Sequence, residues 1–246
     1  MRKVIVSALW LAAVLVVAAG GGLPPAAAQK KGATKGEAKG EAAGGVATPE
    51  EVAKQLKLAE PTNISITRIR AVGWFITVTP ANDEMKAEVA RKLIVYAEDN
   101  DSTVRGNACD ALRTWATAEQ ADKLMVLMTA GRPAQQKGAV VALGNIRHEK
   151  AIPTLVRMVE TGEHKDLPVK ALVAMGPKAE QPVAALIAKK GVGNNPLREV
   201  CNILLQIGTA ESVPALQTLA KHRDRGVANA AQSAVEAIED RAKNKK

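Results

Sequence analysis

Apolar residues return along this chain in short clusters set about thirty residues apart. AVGWF (71–75), ALRTW (111–115), ALGNI (142–146), ALVAM (171–175), ILLQI (203–207) and AVEAI (234–238) align, with steps of 40, 31, 29, 32 and 31 between their first residues. A sustained period of this length marks a stacked array of small units and outranks any local motif. A second column keeps a fixed distance from the first: Pro153, Pro182 and Pro214 each follow eleven residues after Ala142, Ala171 and Ile203. Proline is tolerated in the first turn of a helix, where its missing N–H has no intrahelical partner to lose. Apolar residues then fall two, five and six positions later, as in Leu155, Met158 and Val159, which is the spacing of one helical face. After Ala111 the same step reaches Asp122, also an acceptable helix start.

Each unit therefore reads as a helix A, a tight turn of Gly and polar residues, and a helix B. One such hairpin is too thin to bury its own apolar faces, so neighbouring copies must bury them jointly. The predicted fold is all-α: an α-solenoid of about five to six stacked helical hairpins over residues 49–240. Its start is marked by Thr48-Pro-Glu-Glu51, a capping box with Pro at the first helical position. Composition agrees. One Phe, one Tyr and three Trp in 246 residues cannot build an aromatic core, so Ala, Leu, Val, Ile and Met fill it, which favours close-packed helices over β-structure.

The pattern resembles the HEAT-repeat family, in particular the short HEAT-like units of phycobilisome bilin lyases. Asp101-Ser-Thr-Val104-Arg105 matches the family's Asp-x-x-Val-Arg helix start; Asn194-Asn-Pro-Leu197-Arg198 and Asp224-Arg-Gly-Val227-Ala228 echo it. The resemblance spans roughly residues 61–240 and is specific for fold, not activity. It implies that the B helices line a concave face that takes a protein or peptide partner. Two units depart from the pattern: Pro168 leaves a short helix A before Ala171, and ITVTPANDE (76–84) is an insertion in the first unit.

Ahead of the repeats, MRK, an apolar run and the small residues of PPAAAQ form an export signal over residues 1–28, cleaved after Ala28; an uncleaved anchor is the alternative. Residues 29–48 are Lys, Gly, Glu and Ala with one larger apolar residue, Val46, and read as a linker. The expected location is therefore the periplasm or cell envelope, with no membrane span after cleavage. The net charge of +9 places +2 in the signal, +2 in the linker and +4 in the tail at 241–246, which leaves the repeat body at +1. That distribution allows weak polyanion contact through linker and tail but no specific nucleic-acid recognition, which needs many cations on the folded surface.

Candidate chemistry is sparse. Cys109 and Cys201 share one column, with Val140 and Val169 between them, so three helix spacings of about 8–10 Å keep them too far apart to bridge. They are expected to be free and buried. Of His148, His164 and His222, two fall in predicted loops and one near the end of a helix B; none has a second ligand at metal-site spacing, and exposed positions are expected. No phosphate loop, nucleophile elbow or zinc-protease motif occurs. Catalytic, cofactor and metal residues are therefore expected to be none, and the chain is read as not an enzyme; an accessory role related to HEAT-like lyases is the competing reading. Asn63-Ile-Ser65 matches a glycosylation acceptor, relevant only in a eukaryotic secretory route.

Partner contact is placed on helix-B positions that project away from the apolar stripe: Lys123, Val126, Arg157 and Leu186, with Thr154, Val183, Ala215 and Thr218 beside them. Trp74 joins the set because its column elsewhere holds Thr114, Asn145, Ala174, Gln206 and Ala237, mostly small or polar, whereas Trp115 falls in the large apolar column with Phe75 and Ile146. An exposed Trp at one end of an array is a natural anchor; the competing reading is that the first helix or the 76–84 insertion covers it.

Overall fold

A computed structural model describes residues 44–244, so the expected signal peptide and most of the linker lie outside the described residues. The array begins as its sequence dictates. Thr48 caps the first helix, its hydroxyl accepting from the Glu51 N–H at 3.3 Å while the Glu51 carboxylate accepts from the Thr48 N–H at 3.1 Å. The residues just before it are part of the folded body. Ala47 is 2 % exposed, its N–H donates to the Thr79 carbonyl at 2.9 Å, and Thr79 donates back to the Gly45 carbonyl at 3.2 Å.

Twelve α-helices follow among the described residues. One set comprises the predicted B helices, preceded by an additional first member: α1 (Pro49–Leu58), α3 (Asp83–Tyr96), α5 (Ala121–Ala130), α7 (Ile152–Thr161), α9 (Glu180–Ala188) and α11 (Val213–Leu219). The A helices alternate with them: α2 (Ser65–Trp74), α4 (Ser102–Trp115), α6 (Pro133–Asn145), α8 (Leu167–Met175), α10 (Asn194–Ile207) and α12 (Arg225–Lys243). Short 3-10 turns at Ala118–Gln120, Glu149–Ala151, Gly176–Ala179 and Ala210–Ser212 lead into α5, α7, α9 and α11. The α-solenoid of six hairpins is thus present, but its pairing differs from the sequence expectation. Each B helix packs closely on the A helix that follows it, α3 on α4 and α5 on α6, rather than on the A helix that precedes it. Turns from B to A therefore gather along one edge of the stack, and connections from A to B along the other.

The A helices stack closely in order from α2 to α12, whereas the B helices touch one another much less. Small residues in the A row explain the difference. A β-carbon placed at Gly138 would lie 2.6 Å from the Cys109 carbonyl oxygen, and one at Gly144 would lie 2.7 Å from the Ala171 Cα. Helix α6 thus meets α4 and α8 backbone to backbone, with Ala108, Ala111, Ala139 and Ala142 buried around these contacts. The A row is therefore the more closely packed of the two.

At the first seam, Phe75 and Trp115 are fully buried with ring centroids 5.5 Å apart in a T-shaped pair, and the Trp115 Nε1–H donates to the Phe75 carbonyl at 2.8 Å. Polar groups tie other seams. Buried Arg68 pairs with Asp99 and donates to the Ala59 carbonyl at 3.2 Å. The Glu180 carboxylate, 4 % exposed, accepts from the Thr209 N–H at 2.7 Å and the Ser212 hydroxyl at 2.5 Å. Each bridges about one repeat, so every unit satisfies groups that its neighbour exposes.

Two local departures matter. The helix before Gly176 ends with that residue at φ 73°, and the following four-residue 3-10 turn starts α9 one position earlier relative to Pro182 than α7 starts relative to Pro153. The buried stripe of α9 is accordingly Val183 and Leu186. At the other end Arg241 and Lys243, read from sequence as tail, continue α12; Arg241 donates to the Gly208 carbonyl at 2.8 Å.

These contacts give two glycines of one helix row opposite expected behaviour. Ala is intrinsically the better helix former by about 1 kcal/mol. A β-carbon at Gly106 would meet nothing within 4 Å, so Gly106→Ala should gain stability. Gly144→Ala should instead lose about 1–3 kcal/mol through overpacking against Ala171. Urea denaturation of the two variants checks the opposite signs.

Candidate functional site

Clefts open at the B-to-A turns. One is lined by Pro61, Ser65, Arg68, Val95, Glu98 and Asp101. Its neighbour is lined by Glu98, Arg105, Val126, Leu127, Arg132 and Gln135. Glu98 is the wall they share. The walls form because α3, α4, α5 and α6 converge at two consecutive turns. Asp101 fixes the first by capping α4, accepting from the N–H groups of Thr103 at 2.8 Å and Val104 at 3.1 Å. Its hydroxyl bond from Ser65, with those two N–H groups, holds its carboxyl below the usual range. Gln135 fixes the second: its Oε1 accepts from the Arg132 N–H at 2.7 Å while its Nε2 donates to the Ala97 carbonyl at 2.8 Å.

Within this frame Val95 is 58 % exposed and Val126 61 % exposed. Large apolar side chains in adjacent clefts, flanked by carboxylates and guanidinium groups, can hold a polypeptide side chain and orient polar groups around it. No group of three His, Cys, Asp or Glu with metal-site geometry occurs among the described residues.

The sequence-expected residues divide. Lys123 and Val126 come together here, since the Lys123 Nζ lies 3.6 Å from Glu98. Arg157 is exposed on the next B helix and pairs with Glu163 at 3.0 Å. Leu186 does not join them: it is 5 % exposed in the core, because the early start of α9 turns it inward, and Val183 goes with it at 1 %. Trp74 lies elsewhere, half-buried at the end of α2, its ring 5.2 Å from Phe75. Glu98, Arg105 and Arg132 were missed; the turn that places them is short and polar, and only the pairing of α3 with α4 and of α5 with α6 brings them together.

The remaining candidates are structural. Cys109 and Cys201 are free and buried, as expected. Burial pushes both thiols up to about 11. His148, His164 and His222 all lie in loops but are half-buried rather than exposed, and the His222 Nδ1 accepts from the Asp224 N–H at 3.1 Å. The Asn63 side chain donates to the Lys57 carbonyl at 2.9 Å and closes the end of α1.

Comparison with known proteins is consistent with this geometry. Residues 90–188 match the family model for HEAT repeats. Residues 90–188 carry HEAT repeats. An engineered protein of known crystal structure is similar at 22 % identity over 77 % of this chain and 97 % of its own, with a TM-score of 0.52. A designed armadillo repeat protein is similar at 19 % identity over 78 % of this chain and 100 % of its own, with a TM-score of 0.47. No curated protein matches the chain. The HEAT repeats and the first of these likenesses establish a helical repeat fold and leave its occupant to chemistry.

The thiols give a test of burial. A neutral thiol is favoured in the folded chain, so unfolded cysteines ionise first, near about 8.5. The stability they contribute is present below that pH and is lost as pH rises toward the folded value of about 11. Denaturation midpoints should fall over this window, less so in Cys109→Val and Cys201→Val variants. At neutral pH a thiol reagent should label neither cysteine until denaturant is added.

Proposed function

We propose that this chain is a noncatalytic scaffold of the periplasm or cell envelope that binds a protein partner at the paired clefts of α3–α6. Helical repeat arrays present long rigid surfaces, and binding residues on rigid elements need little ordering when a partner docks. The observation that carries the reading is the exposure of Val95 and Val126 at 58 % and 61 % on two clefts with a common wall. Lys123, Arg105 and Arg132 flank these apolar steps and supply orientation, as polar rims do at protein interfaces. Trp74, half-buried at the end of α2, offers a second contact to a partner that reaches across the stack. The export signal over residues 1–28 supports the location, and the near-neutral repeat body favours a protein over a phosphate backbone.

The test uses the chain as bait in envelope extract, beside a Lys123→Glu/Val126→Glu double variant. A partner retained by the native chain should be reduced at least about tenfold by the variant, as expected for an apolar contact at an interface centre. Equal retention by both, or none by the native chain at any salt concentration, would contradict the proposal.

A further inference from the structure

The edge formed by the B-to-A turns is electrically polarised, although the repeat body carries only +1. Its first two turns, residues 59–64 and 97–101, hold Glu60, Glu98, Asp99 and Asp101 and no Lys or Arg. Its last two, 189–193 and 220–225 counting the first residue of α12, hold Lys189, Lys190, Lys221, Arg223 and Arg225 against Asp224 alone. Cations answer the acidic end only in part: Asp99 pairs with Arg68 and Glu98 with Lys123, while Glu60 and Asp101 form no ion pair among the described residues and keep this end negative.

The basic end keeps the opposite sign. Lys190, Lys221, Arg223 and Arg225 are exposed. The carboxylates beside them are already engaged, Glu160 by Lys189 at 2.6 Å and Asp224 by Arg198 at 3.1 Å. Asp224 also accepts from the Val227 N–H at 3.0 Å as the cap of α12, and that bond, with the Arg198 guanidinium, holds its carboxyl below the usual range. The two turns are fastened together, because the Asn194 side chain at the start of α10 donates to Asp224 at 3.0 Å. Unanswered cations are thus held side by side on a rigid support.

We propose that this end of the edge is a second docking surface, for a short carboxylate-rich segment of a protein. Its limits choose the partner. A flat anionic membrane or a long polyphosphate lying along the edge would also meet the acidic turns at the other end and be repelled there. A segment confined to the last two turns meets only cations. Both ends of the described residues leave by the opposite edge, where Ala47 bonds to Thr79 and Arg241 bonds to Gly208. The surface is separate from the clefts of α3–α6 and does not rest on their occupancy.

The probe is a fluorescein-labelled decaglutamate peptide titrated with the full chain and followed by anisotropy. Reversing Lys190, Lys221, Arg223 and Arg225 to Glu should weaken binding at least about tenfold, with a matching loss of salt dependence. Reversing Lys54, Lys92, Arg147 and Lys150, which lie elsewhere on the body, changes net charge equally and should weaken it less than about threefold. Equal weakening by both variants, or none by the first while its thermal melt matches the native chain, overturns the proposal. Tighter binding of phosphatidylglycerol vesicles or inorganic polyphosphate through the same four residues overturns the choice of a peptide. The Lys123→Glu/Val126→Glu variant should bind the probe as the native chain does, which separates this surface from the clefts.

Discussion

Everything in this fold depends on how closely α6 approaches its two neighbours. Gly138 and Gly144 remove the β-carbons that would strike Cys109 and Ala171, and the surrounding alanines keep the rest of the contact thin. Close approach of backbones sets the repeat spacing, and the spacing sets what can cross it: the bond from Trp115 to the Phe75 carbonyl, the pair of Arg68 and Asp99, the grip of Glu180 on the next turn. The B row carries bulkier residues and packs less closely. Clefts open where B helices turn into A helices. An apolar interior made between copies also explains an aromatic-poor composition, since small residues are what such seams require.

Much of the architecture was legible because periodicity is a property of the sequence itself. The aligned ALRTW, ALGNI and ALVAM segments gave the A helices, and the proline column gave the B helices. The burial of the free thiols and the short helix before Ala171 followed from the same columns, and the capping box at Thr48 from its own motif. Pairing was not legible. A repeat unit can be cut at either turn without changing its period, and only the coordinates show that α5 closes on α6 rather than on α4.

Leu186 shows the second limit. Its distance from Ala171 matched its counterparts, but a residue at positive φ and a four-residue 3-10 turn advanced the helix by one position, or about 100° of rotation. A one-residue change of helix start exchanges surface for core. The candidate site was legible only in part for a related reason. Val126 and Lys123 could be read as outward positions of one helix, whereas Glu98, Arg105 and Arg132 enter from different turns and become neighbours only through the stack.

The central claim is that the hydrophobic interior belongs to the seams and not to the single hairpin. Far-UV circular dichroism of the isolated α5–α6 segment, residues 118–146, tests it most directly. Deprived of α4 and α8, the segment should be largely unfolded in water and show no cooperative melt. A native level of helix with a sigmoidal thermal transition in that segment alone would contradict the account.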